Sequence, residues 1–269
     1  METQNLLYGY FKKLQKSINK KLEKSPKNFD TEDYHDLRVE IKKLKALMDF
    51  IKFNCADFER KKLFKSFKKL FRQAGRMREF QLEKGILKDY KQLAPLKRYY
   101  SQLNSRIQKE QKAFPKVIDK KVGREIRKSL KEMKSFVQKT ESADMEIYIK
   151  NENEKIHSLI MQQPLDAEQM HSLRKLLKAD FYNRKSIDMP GNEVCLKKED
   201  NFLNVLGKWH DYTTTISHLE RAILKVEMDE TELSPVLKIK EEISFDERNL
   251  FRKINGALHT KSQRSPTPA

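Results

Sequence analysis

Apolar residues recur every three or four positions along most of this chain, which is the spacing of one face of an α-helix. The first run, within residues 6–22, ends near Pro26, where a proline would terminate a helix. A second run reaches about Phe53 and begins after Asp30 or Thr31, either of which can cap a helix. The pattern therefore predicts helices from the start of the chain.

A third amphipathic run begins near Asp57 and carries its apolar residues on one face. They are Leu63, Phe64, Phe67, Leu70, Phe71 and Ala74. Because glycine disfavours a helix interior, the sequence predicts an interruption at Gly75 and a new helix toward Tyr90.

The same spacing continues in the second half, which restarts near Thr140. It predicts separate helices around 202–209 and 216–223 and a last helix around 250–258. The final residues, 260–269, are polar and rich in proline and serine, which favours a disordered tail. The predicted fold class is all-α.

Two stripes of cations follow these helices. The first lies opposite the apolar face of the third run, has no acid between residues 61 and 78, and consists of Lys61, Lys65, Lys68 and Arg72. Because like charges in a row repel one another, we weigh a binding role equally with a solvated face. The second stripe consists of Lys120, Arg124, Arg127, Lys131 and Lys134. Glu125 and Glu132 lie beside it, so we interpret it as a solvated face.

The second helix presents a histidine and several cations on one side. At about 100° per residue, that side holds His35, Arg38, Lys42 and Lys45. The apolar side holds Leu37, Ile41, Leu44 and Met48. A lone segment of this kind is most often a solvated face, but converging cations also suit an anion-binding surface.

Both this motif and a second one recur later in the chain. Residues 170–178 repeat the histidine, the arginine and a lysine as His171, Arg174 and Lys178. Alignment of residues 70–79 with 203–211 pairs Gly75 with Gly207, Arg78 with His210 and Glu79 with Asp211. The internal repeat predicts two antiparallel helical bundles, residues 1–140 and 141–259, related by a pseudo-two-fold axis.

On these motifs the chain resembles the CHAD family, the conserved-histidine α-helical domains. The resemblance implies two four-helix bundles and a central basic surface that binds inorganic polyphosphate. Carried over position by position, the implied binding residues are His35, Arg38, Lys42, Lys43, Lys45, Arg78, His171, Arg174, Lys178 and His210. Members usually have further cations where this chain has Ala179 and Phe181, so we expect the second half to contribute less to binding.

The charge distribution favours the same class of ligand. The formal net charge is +18, but residues 1–140 hold 38 Lys and Arg against 17 Asp and Glu, whereas residues 141–269 hold 19 against 22. So strong a field points to a polyanion such as nucleic acid, an anionic membrane surface or a phosphate polymer. We therefore add four cations to the predicted binding surface: Lys65, Lys68, Arg72 and Arg76.

Two other functions stay open. A nucleic-acid-binding protein fits the charge, although the chain has no recognised nucleic-acid motif and no aromatics set among the cations. A metal-dependent phosphohydrolase of the HD type is suggested by the pairs His35-Asp36 and His210-Asp211, but they occupy non-equivalent repeat positions and no further ligands complete a site. We expect a non-catalytic module without metal or cofactor, whose partner is inorganic polyphosphate or another polyanion.

The sequence also bears on location and pH response. No apolar run approaches the ~18 residues that span a bilayer, and the start lacks the features of a signal peptide. Two cysteines in 269 residues are typical of a reducing compartment, so we expect a cytoplasmic protein, and the resemblance adds association with polyphosphate granules. Because unperturbed histidines titrate near pH 6.5, His35 and His171 would strengthen polyanion binding as the pH falls from about 8 to 6.

Overall fold

The structure, a computed structural model, describes residues 2–24, 28–91, 96–187, 193–224 and 230–264. Within these ranges there is no strand, and a short 3₁₀ turn occurs at Phe114–Lys116. The α-helices are α1 (Glu2–Glu23), α2 (Thr31–Asn54), α3 (Arg60–Leu63), α4 (Lys65–Asp89), α5 (Lys97–Ala113), α6 (Lys120–Lys139), α7 (Ser142–Ile160), α8 (Ala167–Ser186), α9 (Glu193–Leu224) and α10 (Glu230–Arg264). The predicted all-α fold class is confirmed.

Matching capping boxes begin the two helices that carry the motif histidines. The Asp30 carboxylate accepts a hydrogen bond from the Asp33 backbone N–H at 2.9 Å, and the Asp33 carboxylate accepts one from the Asp30 backbone N–H at 3.0 Å. Asp166 and Gln169 exchange the same pair of bonds at 2.8 and 2.9 Å before α8. Each box fixes where its helix begins, and it places the motif histidine in the second turn.

The predicted breaks within two long helices are wrong. α4 runs without interruption through Gly75, and residues 202–209 and 216–223 belong to one helix, α9. A glycine inside a helix costs about 1 kcal/mol, whereas a large apolar side chain contributes about 1.5–3 kcal/mol when fully buried. Leu70 and Met77, on either side of Gly75, are fully buried, so packing outweighs the local preference.

Four helices form the centre of the molecule. α2 packs against α4 and α8, and α9 packs against α4 and α8 in turn, so the four make a closed ring of neighbours. α1 and α6 pack against each other, and α1 also packs on the outer side of α2, while α10 lies along α9. The central ring consists of the helices that carry the repeated motifs, α2 and α8 with the histidine motif and α4 and α9 with the glycine motif.

Apolar packing divides the described residues into three clusters. The largest joins α1, α2, the first turns of α4, α6 and the start of α7. A second joins the end of α4 to α5, α9 and α10, and a third joins α8 to the first part of α9 and the end of α10. Helices from both sides of residue 140 therefore share a core, and the division at that residue stays a prediction from the repeat.

The last helix that the structure describes, α10, continues through Arg264 and so covers the beginning of the predicted tail. Residues 265–269 lie outside the described residues. Of the helices in the described ranges, none combines the length and the apolar character needed to cross a bilayer.

Candidate anion-binding site

The predicted amphipathic face of α2 is confirmed. Leu37, Ile41 and Leu44 are fully buried in the largest apolar cluster. Their burial fixes the rotation of α2, so that Arg38 and Lys42 point away from this core and lie half-buried beside α4 and α8. The apolar stripe of this helix thus determines which of its cations enter the centre of the molecule.

Arg38 lies directly on the backbone of α4. Its Nη1 donates a hydrogen bond to the Phe71 carbonyl oxygen at 3.2 Å, and its guanidinium carbon lies 4.5 Å from the centroid of the Phe71 ring. One turn further along α4, a Cβ at Gly75 would collide with the same Nη1. Glycine at this position is therefore explained by the close approach of the arginine, and not by a break in the helix.

Cations from both halves of the chain meet in one place, which we call the central cluster: Arg38, Lys42, Arg78, Arg174 and Lys178. Burial, with smaller effects from Arg174 and Arg78, lowers the pKa of the Arg38 guanidinium. Burial also lowers the pKa of Lys42 to about 7, and the charges of Arg38, Lys178 and Arg174 add to that effect. The predicted cations of α2, α4 and α8 therefore lie close enough to influence one another across the two halves of the chain.

The central cluster has no direct counter-charge within the described residues. The side chains of Lys42, Arg78, Arg174 and Lys178 form no ion pair and no hydrogen bond there, and the buried Nε of Arg174 has no hydrogen-bond partner. Carboxylates act on the cluster through space, chiefly Asp211 on α9, which favours the charged forms of Lys42 and Arg174. Half-buried cations without partners are costly, and an external anion would relieve that cost.

The three motif histidines lie at the edge of the central cluster. The rings of His171 and His210 stack with centroids 4.9 Å apart and an interplanar angle of 17°. Burial, with help from Lys175, lowers the pKa of His171 to about 4, and burial followed by the charge of Arg78 lowers the pKa of His35. The pKa values of His35 and His171 in the empty protein therefore lie below the unperturbed value near 6.5 on which the expected pH response rests.

Two further predicted cations of α2 are engaged by acids of their own helix. Lys43 Nζ lies 2.8 Å from Glu40 Oε1, and the exposed Lys45 Nζ lies 3.8 Å from Asp49 Oδ2. Lys45 is only about 60° around the helix from Lys42, yet Lys42 lies inside the central cluster. The cations predicted to share one face of α2 therefore have different surroundings, because other helices cover only part of that face.

The remaining predicted cations line a separate depression on an adjacent face of α4, which we call the α4 groove. It has a volume of about 310 Å³ and is lined by Lys65, Lys68, Lys69, Arg72, Gln73, Arg76 and Val117. Arg78, by contrast, lies beside His35 and Arg38 in the centre. The structure therefore divides the cations of residues 61–78 between two places.

The two His-Asp pairs have different surroundings. The Asp36 carboxylate accepts a hydrogen bond from Lys21 Nζ at 2.8 Å, which ties it to α1. Asp211 instead acts on the cations of the central cluster, and its Oδ1 lies 3.7 Å from Nδ1 of His210. In the described part of the chain, no three His, Cys, Asp or Glu side chains group as metal ligands.

Several residues of the central cluster and of the α4 groove were not predicted from the sequence. Phe71 was assigned to the apolar face, although its carbonyl and ring hold Arg38. Lys69 lines the α4 groove, and the charge of Lys175 acts on His171. One feature of the sequence could have indicated the contact between Arg38 and α4: a glycine inside an amphipathic helix accompanies the His-x-x-Arg motif in each half.

A comparison with family models identifies the surrounding domain. The model described as the CHAD domain matches residues 10–220, which is most of the chain. The chain belongs to the CHAD domain family. No curated protein matches it. The solved structures include a similar one, the crystal structure of the CHAD domain from the plant Ricinus communis, with a TM-score of 0.75 and 12% identity over 96% of this chain and 91% of that one. At this identity the likeness shows a shared fold, and the CHAD fold predicted from the motifs is confirmed.

Proposed function

We propose that this CHAD domain binds inorganic polyphosphate, or a similarly phosphate-rich polyanion, at the central cluster, and that it does so without catalysis. The observation that carries the proposal is the meeting of Arg38, Lys42, Arg78, Arg174 and Lys178 from three helices, with unpaired cations at its centre. The positive charges of such a cluster repel one another, and a bound anion reduces this electrostatic repulsion.

The chemistry of the cluster suits closely spaced phosphates. Arginine offers paired N–H donors to phosphate oxygens, and lysine adds a compact positive charge. Arg38 is already oriented by Phe71, so little side-chain freedom is lost when it binds. His35 and His171 lie at the rim, where a polyanion would favour their protonated forms, and the His210 ring stacks on that of His171.

The finer architecture belongs to the same proposal. The histidine motif lies on α2 and α8 and the glycine motif on α4 and α9, and these four helices neighbour one another. Two four-helix bundles, residues 1–140 and 141–259, would place the two motif pairs on opposite sides of one pseudo-two-fold axis. A cytoplasmic protein associated with polyphosphate is consistent with this function.

The test is a competition titration of polyphosphate, RNA and duplex DNA at fixed salt and equal phosphate concentration. The variant Arg38→Gln with Arg174→Gln removes one arginine of each half, and Arg127→Gln with Arg252→Gln is the control, because both control arginines are exposed. We expect the wild type and the control to bind polyphosphate best, with affinity falling steeply as salt rises, and the central variant to lose binding.

Other outcomes would overturn the proposal. If RNA competes as well as polyphosphate, the domain is a nucleic-acid-binding protein. If polyphosphate shortens or orthophosphate accumulates in proportion to the protein, the domain is an enzyme. If the central variant binds like the control, the ligand lies elsewhere on the molecule.

A further inference from the structure

The α4 groove is a second concentration of positive charge. The side chains of four of its cations, Lys65, Lys68, Lys69 and Arg72, form no ion pair or hydrogen bond with any residue that the structure describes. They stand at the spacings of adjacent helical turns, so their charges repel one another along one helix face. Nothing in the described protein neutralises this row.

Hydrogen bonds between side chains fix the inner wall of the groove. Arg76 Nε donates to Glu110 Oε2 on α5 at 3.2 Å, and the Gln73 side chain contacts both partners. Gln73 is buried, and only about a fifth of the Glu110 side chain is exposed (19%). Glu110 is thereby occupied in holding Arg76, and the four outer cations have no acid partner among the residues that the structure describes.

The lining indicates the chemical class of that ligand. It consists of cations, one amide and Val117, and none of the lining residues is aromatic. Proteins that bind single-stranded nucleic acid stack bases on aromatic side chains, and the groove offers no such surface. Cations alone suit a ligand that presents phosphate and nothing else.

The groove and the central cluster share the same turns of α4. Phe71, which holds Arg38, is followed at once by the groove residue Arg72, and Gly75 is followed by Arg76. Successive residues of a helix point about 100° apart, so the two places lie on adjacent faces of one helix. We propose that a long phosphate chain held at the central cluster continues around α4 into this groove, which is a second binding site for the chain.

The inference rests on the proposed function and adds a preference for chain length. A short phosphate chain is held by the central cluster alone, because the cations there are half-buried and converge from three helices. A long chain also neutralises the row of Lys65, Lys68, Lys69 and Arg72. Affinity and its salt dependence therefore rise with chain length until both places are filled.

The experiment compares tripolyphosphate with long-chain polyphosphate in direct titrations at several salt concentrations. The groove variant is Lys68→Gln with Arg72→Gln. The control is Arg127→Gln with Lys131→Gln, which removes the same residue types at the same spacing from the exposed face of α6. We expect the groove variant to lose about tenfold in affinity for the long chain, with a shallower salt dependence, and to bind tripolyphosphate like the wild type. Thermal melts should match, since all four side chains are exposed.

Each outcome decides between the two proposals. If the groove variant binds the long chain like the α6 control while Arg38→Gln with Arg174→Gln abolishes binding, the central site stands and the second site is wrong. If the groove variant weakens both ligands equally, the two places are one site and the inference also fails. If the wild type binds neither ligand, the proposed function fails and this inference fails with it.

Discussion

The two arginines of the repeated motif occupy equivalent positions but have different surroundings. Arg38 lies against Gly75, bonded to the Phe71 carbonyl and stacked on the Phe71 ring. The Arg174 side chain forms no hydrogen bond within the described residues, and its buried Nε has no partner there. At Gly207, the equivalent of Gly75, a Cβ would have no neighbour within 4 Å. The second arginine is therefore not packed on its glycine helix as the first one is.

The histidines differ in the same way. His35 has the cationic Arg78 near it, whereas His171 stacks on His210, the residue that replaces Arg78 in the repeat. The arginine of the first half is therefore oriented by the protein itself, whereas the arginine of the second half has no hydrogen-bond partner among the described residues. A repeat can thus keep its positions while only one copy is pre-organised.

We expect the largest loss of polyphosphate affinity when one pair of central-cluster cations is replaced by alanine. From the sequence, Arg38→Ala with Lys42→Ala would weaken polyphosphate binding far more than Arg174→Ala with Lys178→Ala. The structure places all four in one cluster, so we expect comparable losses, each about 100-fold, since a charge-assisted contact contributes about 1.5–3 kcal/mol and solvent access reduces that value. Titration at fixed salt measures both.

The control for this pair of variants is Arg127→Ala with Lys131→Ala, which has the same residue types and spacing on α6. We expect it to bind like the wild type, and thermal melts of the three proteins establish that each is folded. A loss confined to the first pair would show that the second half of the repeat has little part in binding, as its charge balance alone suggests.

The helices and their starting points could be predicted because they depend on local patterns. The spacing of Leu37, Ile41 and Leu44 defined α2, and the Asp30 and Asp166 capping boxes are properties of a few neighbouring residues. The supposed break at Gly75 was wrong because a local preference of about 1 kcal/mol was weighed without the tertiary packing around it. Only the approach of Arg38 from another helix explains that glycine.

The division of the cations could not be read from periodicity. Helical spacing gives the angle of Lys42 and Lys45 around α2, but it does not say that α8 covers one while Asp49 pairs with the other. For the same reason Lys68 and Arg78 appeared to belong to one basic surface, although they lie on different sides of α4. Which neighbour packs on a face is set by the whole fold.

A second prediction concerns pH and compares Lys42 with Lys178. Lys42 faces Arg38 on its own helix, Arg174 and Lys178 on α8, and Asp211 on α9, and its pKa is lowered to about 7, chiefly by burial. A bound polyanion favours the charged amine and raises this pKa again. Binding above pH 7 must then take up a proton, so affinity falls by up to about tenfold per pH unit as the pH rises above 7. Below 7 the amine is already charged, and this contribution levels off.

Titrations between about pH 6 and 9 test this prediction with two arginine variants. Lys42→Arg keeps the charge at every pH, so its affinity should no longer fall above pH 7, whereas Lys178→Arg should keep most of the dependence. Replacing His35 and His171 by Gln should leave the region above pH 7 unchanged, because the pKa values of both histidines are lowered. If the affinity no longer depends on pH in the histidine variant but still does in Lys42→Arg, the histidines and not Lys42 cause the pH dependence.

We expect the smallest changes in stability and binding from alanine substitutions at the two motif glycines, Gly75 and Gly207. Alanine favours a helix interior by about 1 kcal/mol over glycine, so Gly207→Ala, which meets no neighbour, should raise the melting temperature by about 2–4 °C and leave binding unchanged. In Gly75→Ala the new methyl group displaces the Arg38 guanidinium, which is the flexible end of a side chain, so the fold survives. The lost bond to Phe71 offsets the helical gain, and the melting temperature should stay near that of the wild type.

Binding separates the two glycine variants more sharply than stability does. Displacing Arg38 without removing its charge should cost about three- to tenfold in affinity for polyphosphate, because the arginine must be re-ordered when the ligand binds. The salt dependence should stay close to that of the wild type, since the number of cations is the same. If Gly75→Ala binds as tightly as Gly207→Ala, the packing of Arg38 on α4 is structural, and pre-organisation does not distinguish the two halves.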